Sequence, residues 1–174
     1  MDYETKATSR KELRLYAKLF RSICGFSENE PIDPIKLLDR LPELEGFEDV
    51  RYEIVYNNEL PGNVPAQCEK DEFGWLIQIK ESTYTRAFEK NSGGDRMHIM
   101  HEIMHPFVDK LGFKPFFTRQ LTKETPLFRR LEWIVMALAG EIMMPYEVTK
   151  NISIEELMNT YGVSKAAARK RSTY

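Results

Sequence analysis

The segment His101-Glu102-Ile103-Met104-His105 constrains this chain more than any other. It spells H-E-x-x-H and uses two of the three histidines in the sequence. Its surroundings, Arg96 to Phe107, are apolar and helix-favouring, and on a helix positions i and i+4 share a face about one turn apart. Both imidazoles then reach one metal ion. Glu102, roughly 100° round the axis, is poorly placed as a third ligand and well placed to take a proton from a water on that ion. The chain must therefore fold so that one helix presents two nitrogen donors and a carboxylate base, the arrangement of a zinc peptidase. The plainer reading is a helix whose histidines only hydrogen-bond within the structure. It suits the residue types less well, because histidine is only intermediate in its tendency to be buried and these two sit among Met and Ile.

The length of 174 residues suits one domain, and 42% hydrophobic residues are enough for a sizeable core. We expect residues 1–150 to form the main body and residues 151–174 a helical hairpin belonging to the same domain. A net charge of −2 and a pI near 6.0 argue against a whole-surface nucleic-acid binder. Cys24 and Cys68 match no metal or redox spacing and read as free thiols in a reducing compartment. The first residues contain no apolar signal-peptide core, and no window is apolar for long enough to span a bilayer. The expectation is a soluble, cytoplasmic protein with no membrane partner.

Periodicity gives an α+β chain, mostly helical with a small sheet. A helix is expected from Arg10 to Cys24, opened by the capping-box pair Ser9 and Glu12 and stopped by Gly25. A short helix follows Asp33 and Pro34. Arg51 to Tyr56 and Gly74 to Lys80 read as strands, separated by a loop over Asn57 to Pro65. Gly93 and Gly94 break the chain, Asp95 can cap the helix that carries the histidines, and Gly112 ends it. Pro106 lies inside that helix and cannot donate to the carbonyl of Glu102, so a kink or a break is expected there. A second long helix is expected from Thr125, with Pro126 in its first turn, ending before Pro145. Ser153 with Glu156 and then Ser164 open two short final helices.

Two histidines do not complete a zinc site. His98, Asp109 and a carboxylate further along are the remaining candidates. His98 would stretch three ligands along one helix axis, which suits a tetrahedral ion poorly. Glu132, on the next long helix, is the better placed carboxylate. On position alone, an exposed Glu132 paired with Arg129 or Arg130 is an equal alternative.

The block R-M-H-I-M-H-E-I-M-H (Arg96 to His105) is followed by E-W-I-V-M-A-L-A-G-E-I-M-M-P (Glu132 to Pro145). Together they resemble the ImmA/IrrE family of zinc metallopeptidases, whose pattern is R-F-x-x-A-H-E-x-G-H and then E-x-x-A-N-x-F-A-A-x-L-L-M-P. The resemblance covers about residues 70 to 150, and the whole chain is similar to short members found in bacterial genomes and prophages. It implies a zincin-like fold, with His101, His105 and Glu132 as the ligands of Zn²⁺ and Glu102 as general base. Three departures stand out. Met104 replaces the usual glycine, Met136 stands where Asn or Asp is common, and Pro106 is atypical. Loss of a partner that orients a ligand can weaken metal binding about 10–100-fold.

The resemblance further implies an endopeptidase that cleaves a regulatory protein, often a helix-turn-helix repressor. The strand Gly74 to Lys80 is either an edge that pairs with an extended substrate or simply closes the sheet. Tyr84, His98 and Tyr146 are candidates for stabilising the oxyanion. Two rival readings are a metal-holding scaffold without activity and a DNA-binding regulator. The second would use the C-terminal helices, where Lys165, Arg169, Lys170 and Arg171 cluster. So small a basic face argues against direct nucleic-acid binding.

Overall fold

A computed structural model of the protein describes residues 2–116 and 121–173. The order is α1 (Arg10–Ile23), α2 (Pro34–Arg40), β1 (Val50–Val55), β2 (Ala66–Asp71), β3 (Gly74–Lys80), α3 (Glu81–Glu89), α4 (Gly93–Lys110), α5 (Leu131–Met143), α6 (Tyr146–Thr149), α7 (Ile154–Tyr161) and α8 (Lys165–Arg171). Short 3-10 turns cover Leu41–Glu43 and Leu127–Arg129. The chain is thus α+β, with its helices gathered around α4 and α5. No helix among the described residues is long and apolar enough to cross a membrane.

Local signals placed several helices well. Ser9 and Glu12 form a reciprocal capping box at the start of α1, which buries Leu13, Ala17 and Phe20 along one stripe. Asp33 accepts from the Ile35 N–H and Pro34 fills the first turn of α2. Gly162 ends α7 in the left-handed region, and Ser164 caps α8. The helix α4 runs without interruption through Pro106, so the expected break is absent. Pro106 is buried, and packing of its neighbours Met104, Phe107 and Val108 offsets the backbone hydrogen bond the ring removes. Phe107 joins Phe20 and Phe47 in an aromatic cluster with centroid separations of 5.1 and 6.1 Å, which ties α4 to α1.

The start of α4 differs from expectation. Ser92, not Asp95, caps it, and both Gly93 and Gly94 lie inside the helix. Asp95 instead receives a two-pronged hydrogen bond from Arg86 of α3, at 2.7 and 2.9 Å. Gly93 is required by close approach, since a Cβ there would lie 2.3 Å from the backbone carbon of Val163. The turn between α7 and α8 therefore rests directly on the first turn of α4.

The sheet order is β1-β3-β2, with β3 parallel to β1 and antiparallel to β2. The strand Gly74 to Lys80 is central and cannot be an edge for substrate pairing. The free edge beside α4 belongs to β2, a strand the sequence left unassigned. Pro65 C=O accepts from Lys80 N–H, so alternate positions pair inward. The backbone groups of Ala66, Cys68 and Lys70 then face the open side.

The second long helix begins at Leu131, not Thr125. Pro126 precedes a 3-10 turn, and Arg130 is extended (φ −98°, ψ 124°). The reason is a long-range pairing. Residues 2–8 run as an extended strap beside this segment: Thr5 N–H donates to Arg129 C=O, Thr8 N–H to Phe128 C=O, and Leu131 N–H to Tyr3 C=O. A backbone bridged to Glu4 at Arg130 cannot be helical there.

The tail also differs from a solvated basic end. Arg171 is 3% exposed, and its guanidinium lies 3.0 Å from the carboxylate of Glu141 on α5. Among the four basic residues singled out in the sequence, Lys165, Arg169 and Lys170 are exposed.

Candidate metal centre

The donors of α4 and α5 converge. His101 Nε2 and His105 Nε2 are 3.3 Å apart, and Glu132 Oε2 lies 3.1 Å from the first and 3.9 Å from the second. Two nitrogens held at about 2.0–2.1 Å by one tetrahedral ion sit about 3.3–3.4 Å apart. The donor spacing therefore suits such an ion. Glu132 turns toward His101, while Arg129 pairs with Glu4, and Arg130 donates to the carbonyls of Thr122 and Thr125. His98 is exposed and outside this cluster.

Glu102 is nearer the donors than the helical-wheel argument expects. Its Oε2 lies 3.7 Å from His105 Nε2, and donor atoms of His101, Glu102 and His105 all fall within 4.8 Å of one another. By distance alone, both Glu102 and Glu132 could complete a three-residue set with the histidines. Their surroundings separate them. Glu102 is 8% exposed, and burial pushes its carboxyl up to about 7, although the His101 charge and the facing Cys68 N–H act the other way. Burial likewise raises Glu132, but the His101 hydrogen bond and the two imidazoles outweigh it and hold that carboxyl below its usual range. Glu132 is the carboxylate best kept charged by the histidines, as a ligand must be. Glu102 is the one suited to exchanging a proton near neutrality.

The two imidazoles are also unlike. Burial opposes charge on both. On His101, the Glu132 hydrogen bond and the Glu102 and Glu132 carboxylates prevail and raise its pKa, whereas His105 is lowered by burial and then by the neighbouring His101. His101 Nδ1 is buried and has no hydrogen-bond partner among the described residues. Imidazole ligands normally give their second nitrogen to a carboxylate or carbonyl. Met136, one turn beyond Glu132, supplies no such acceptor. It is 40% exposed.

The position of Glu132 depends on the strap. Arg130 makes no capping hydrogen bond through its side chain. Asp2 takes over that role from far along the chain: its Oδ1 accepts from Glu132 N–H at 3.0 Å and from Tyr3 N–H at 2.9 Å. Asp2→Ala should lower stability by about 1 kcal/mol, the usual effect of losing a helix cap. In a chain of this size that is a fall of about 2–4 °C in Tm. Asp2→Asn should keep most of the loss back. A thermal melt in which Asp2→Ala matches the parent would remove Asp2 from this role. The sequence offered no signal for it, because the contact joins residues 130 positions apart.

Of the other residues considered for the reaction, Tyr146 packs over Arg14, with the guanidinium carbon 3.5 Å from the ring centroid. Tyr84 stacks on Phe88. Among the described residues, neither makes a hydrogen bond or ring contact with the donor cluster.

No curated protein matches this chain. A solved structure of a Mycobacterium tuberculosis transcriptional regulator is similar, with a TM-score of 0.58 and 15% identity, over 92% of this chain and 46% of that one. At that identity the likeness is one of fold, and this chain spans less than half of that structure's length. Residues 89–173 match the model of the IrrE N-terminal-like domain, a peptidase family. That stretch holds α4, α5, the H-E-x-x-H segment and Glu132, and over it the chain matches the IrrE N-terminal-like domain.

Proposed function

We propose that this protein is a zinc-dependent endopeptidase with a zincin-like active-site helix, acting on a regulatory protein of the helix-turn-helix repressor class. The observation that carries the reading is the convergence of His101, His105 and Glu132 beside the buried carboxylate of Glu102. His101, His105 and Glu132 would hold the ion. When bound, zinc supplies a Lewis acid that polarises the scissile carbonyl and acidifies water.

The chain's own residues do the rest. Glu102 takes a proton from the attacking water as its oxygen bonds to the carbonyl carbon. The same carboxyl then passes that proton to the amine nitrogen as the C–N bond breaks. The Cys68 N–H fixes one side of Glu102. The outward backbone groups of Ala66 and Lys70 can pair with an extended substrate, a role that passes from β3 to β2. Residues 151–174 complete the same domain, and with Arg171 buried against Glu141 the tail presents too few cations for a DNA footprint.

The test compares the wild type with Glu102→Gln, each expressed in the protein's own host, by mass-spectrometric profiling of new protein N-termini. The reading requires a small set of N-termini found only with the wild type, among them one in a DNA-binding regulator. Identical profiles would remove the endopeptidase reading.

A further inference from the structure

A cavity of ≈ 270 Å³ lies between α4, α5 and α8, starting one helical turn from the metal donors. His98 and Gly94 on α4 precede His101 by three and seven positions, and Met136 and Gly140 on α5 follow Glu132 by four and eight. These spacings keep the lining on the helix faces that carry the donors. The cavity therefore lies beside the reaction centre along α4 and α5. Its walls are mainly apolar, with Met97, Met136, Ala137 and Ala167 among them, and the cationic side chains of Arg10, Lys170 and Arg171 also line it.

Two glycines border this space. Gly94 lies in the first turn of α4, and Gly140 in the interior of α5, where glycine is disfavoured relative to alanine. Neither has a positive φ, and a Cβ added to either meets nothing within 4 Å. Their neighbour Gly93, by contrast, is forced by contact with Val163. Backbone geometry and packing thus require neither Gly94 nor Gly140, and both line the same cavity. The far wall is α8, fastened by the Arg171–Glu141 ion pair.

We propose that this cavity is a specificity pocket that receives one large apolar side chain of the substrate, of the size of leucine, methionine or phenylalanine. The inference rests on the peptidase reading and adds the substrate chemistry that reading lacks. The volume suits a single side chain: it is below the roughly 300–1,000 Å³ of small-molecule sites and above the ~150 Å³ that accepts a benzene ring. A very small side chain would leave apolar wall uncovered, and an acidic one would meet mainly apolar wall, because Arg10 and Arg171 already face Glu141. The C-terminal helix then serves recognition by forming the pocket wall.

The full-length chain, labelled with ¹³C at its methionine methyls and with ¹⁵N, carries reporters in the wall at Met97, Met136 and Met144. The probe is the acetylated, amidated pentapeptide Gly-Gly-Leu-Gly-Gly, compared with the same peptide carrying Asp in place of Leu. The leucine peptide should move these methyl signals saturably, and the amides of Ala66 and Lys70 with the same Kd. The aspartate peptide should bind at least about tenfold more weakly, as should the leucine peptide to Gly140→Leu or Gly94→Leu, which fill the cavity. Gly140→Ala should raise Tm while weakening binding, a combination that a packing role alone does not give.

Equal shifts from both peptides overturn the pocket, as do shifts that survive in Gly140→Leu. Methyl shifts without movement of the β2 amides overturn its role as part of the substrate groove. The readout needs neither metal nor turnover. Protein that binds metal but shows no methyl shift removes the pocket alone. Saturable shifts on a protein unable to bind metal remove the peptidase reading, and the substrate assignment with it.

Discussion

Glu141→Ala should lower the unfolding free energy by about 3–5 kcal/mol, the range for breaking a buried ion pair from one side. Glu141 is 1% exposed and its carboxylate faces Arg171 at 3.0 Å, Arg10 at 3.6 Å and Arg14 at 3.8 Å. Arg10 and Arg14 keep part of their side chains in solvent and can turn outward. Arg171 cannot, so its charge would stay buried without a carboxylate. Native domains are stable by only about 5–15 kcal/mol, so this single change removes a large share. Urea unfolding followed by circular dichroism measures it. The double change Glu141→Leu with Arg171→Met should recover much of the loss, since apolar residues of similar volume often replace buried pairs without penalty. A loss under about 1 kcal/mol in Glu141→Ala would mean that α8 is not held in this way.

Glu102→Gln should slow cleavage by about 10²–10⁴-fold while leaving metal content and fold intact, because general-base catalysis contributes on that scale. Glutamine preserves the shape of the side chain and an oxygen that can accept from Cys68 N–H, but it cannot take a proton. The measurement is the single-turnover rate on whichever protein the N-terminus profiling yields. Equal rates for the two forms would take Glu102 out of the reaction. That outcome would favour a metal-holding scaffold.

Those parts of the fold encoded within a few residues were legible in the sequence. The capping box of Ser9 and Glu12, the Asp33-Pro34 start of α2 and the Ser153 and Ser164 caps each act over a single turn. The i, i+4 histidines needed only the helix itself. What escaped depends on partners distant in sequence. The strand β2 has a mostly polar sequence, Ala-Gln-Cys-Glu-Lys-Asp, and is a strand because β3 pairs with it. The helix α3 contains β-branched Thr83 and Thr85, lacks a side-chain cap, and is joined to α4 through Arg86 and Asp95. The late start of α5 follows from the strap of residues 2–8, which no local pattern announces. Charge alone grouped Arg171 with Lys165, Arg169 and Lys170, since its burial depends on Glu141 thirty positions earlier.

The candidate site divides in the same way. Spacing brought His101, Glu102 and His105 together. Position alone left Glu132 balanced between ligand and surface residue, and only family resemblance chose it. The structure brings its carboxylate to 3.1 Å from His101 Nε2. Glu102 lies closer to the donors than a helical wheel suggests because its side chain leans back toward His105.

Metal content of the purified chain tests the central claim most directly. After dialysis against metal-free buffer, elemental analysis should find about one zinc per chain, the number for a catalytic zinc site. His105→Ala and Glu132→Ala should each lose most of it, while His98→Ala should retain it. Wild-type protein that holds no zinc, or Glu132→Ala that binds it as tightly as the parent, would contradict the account.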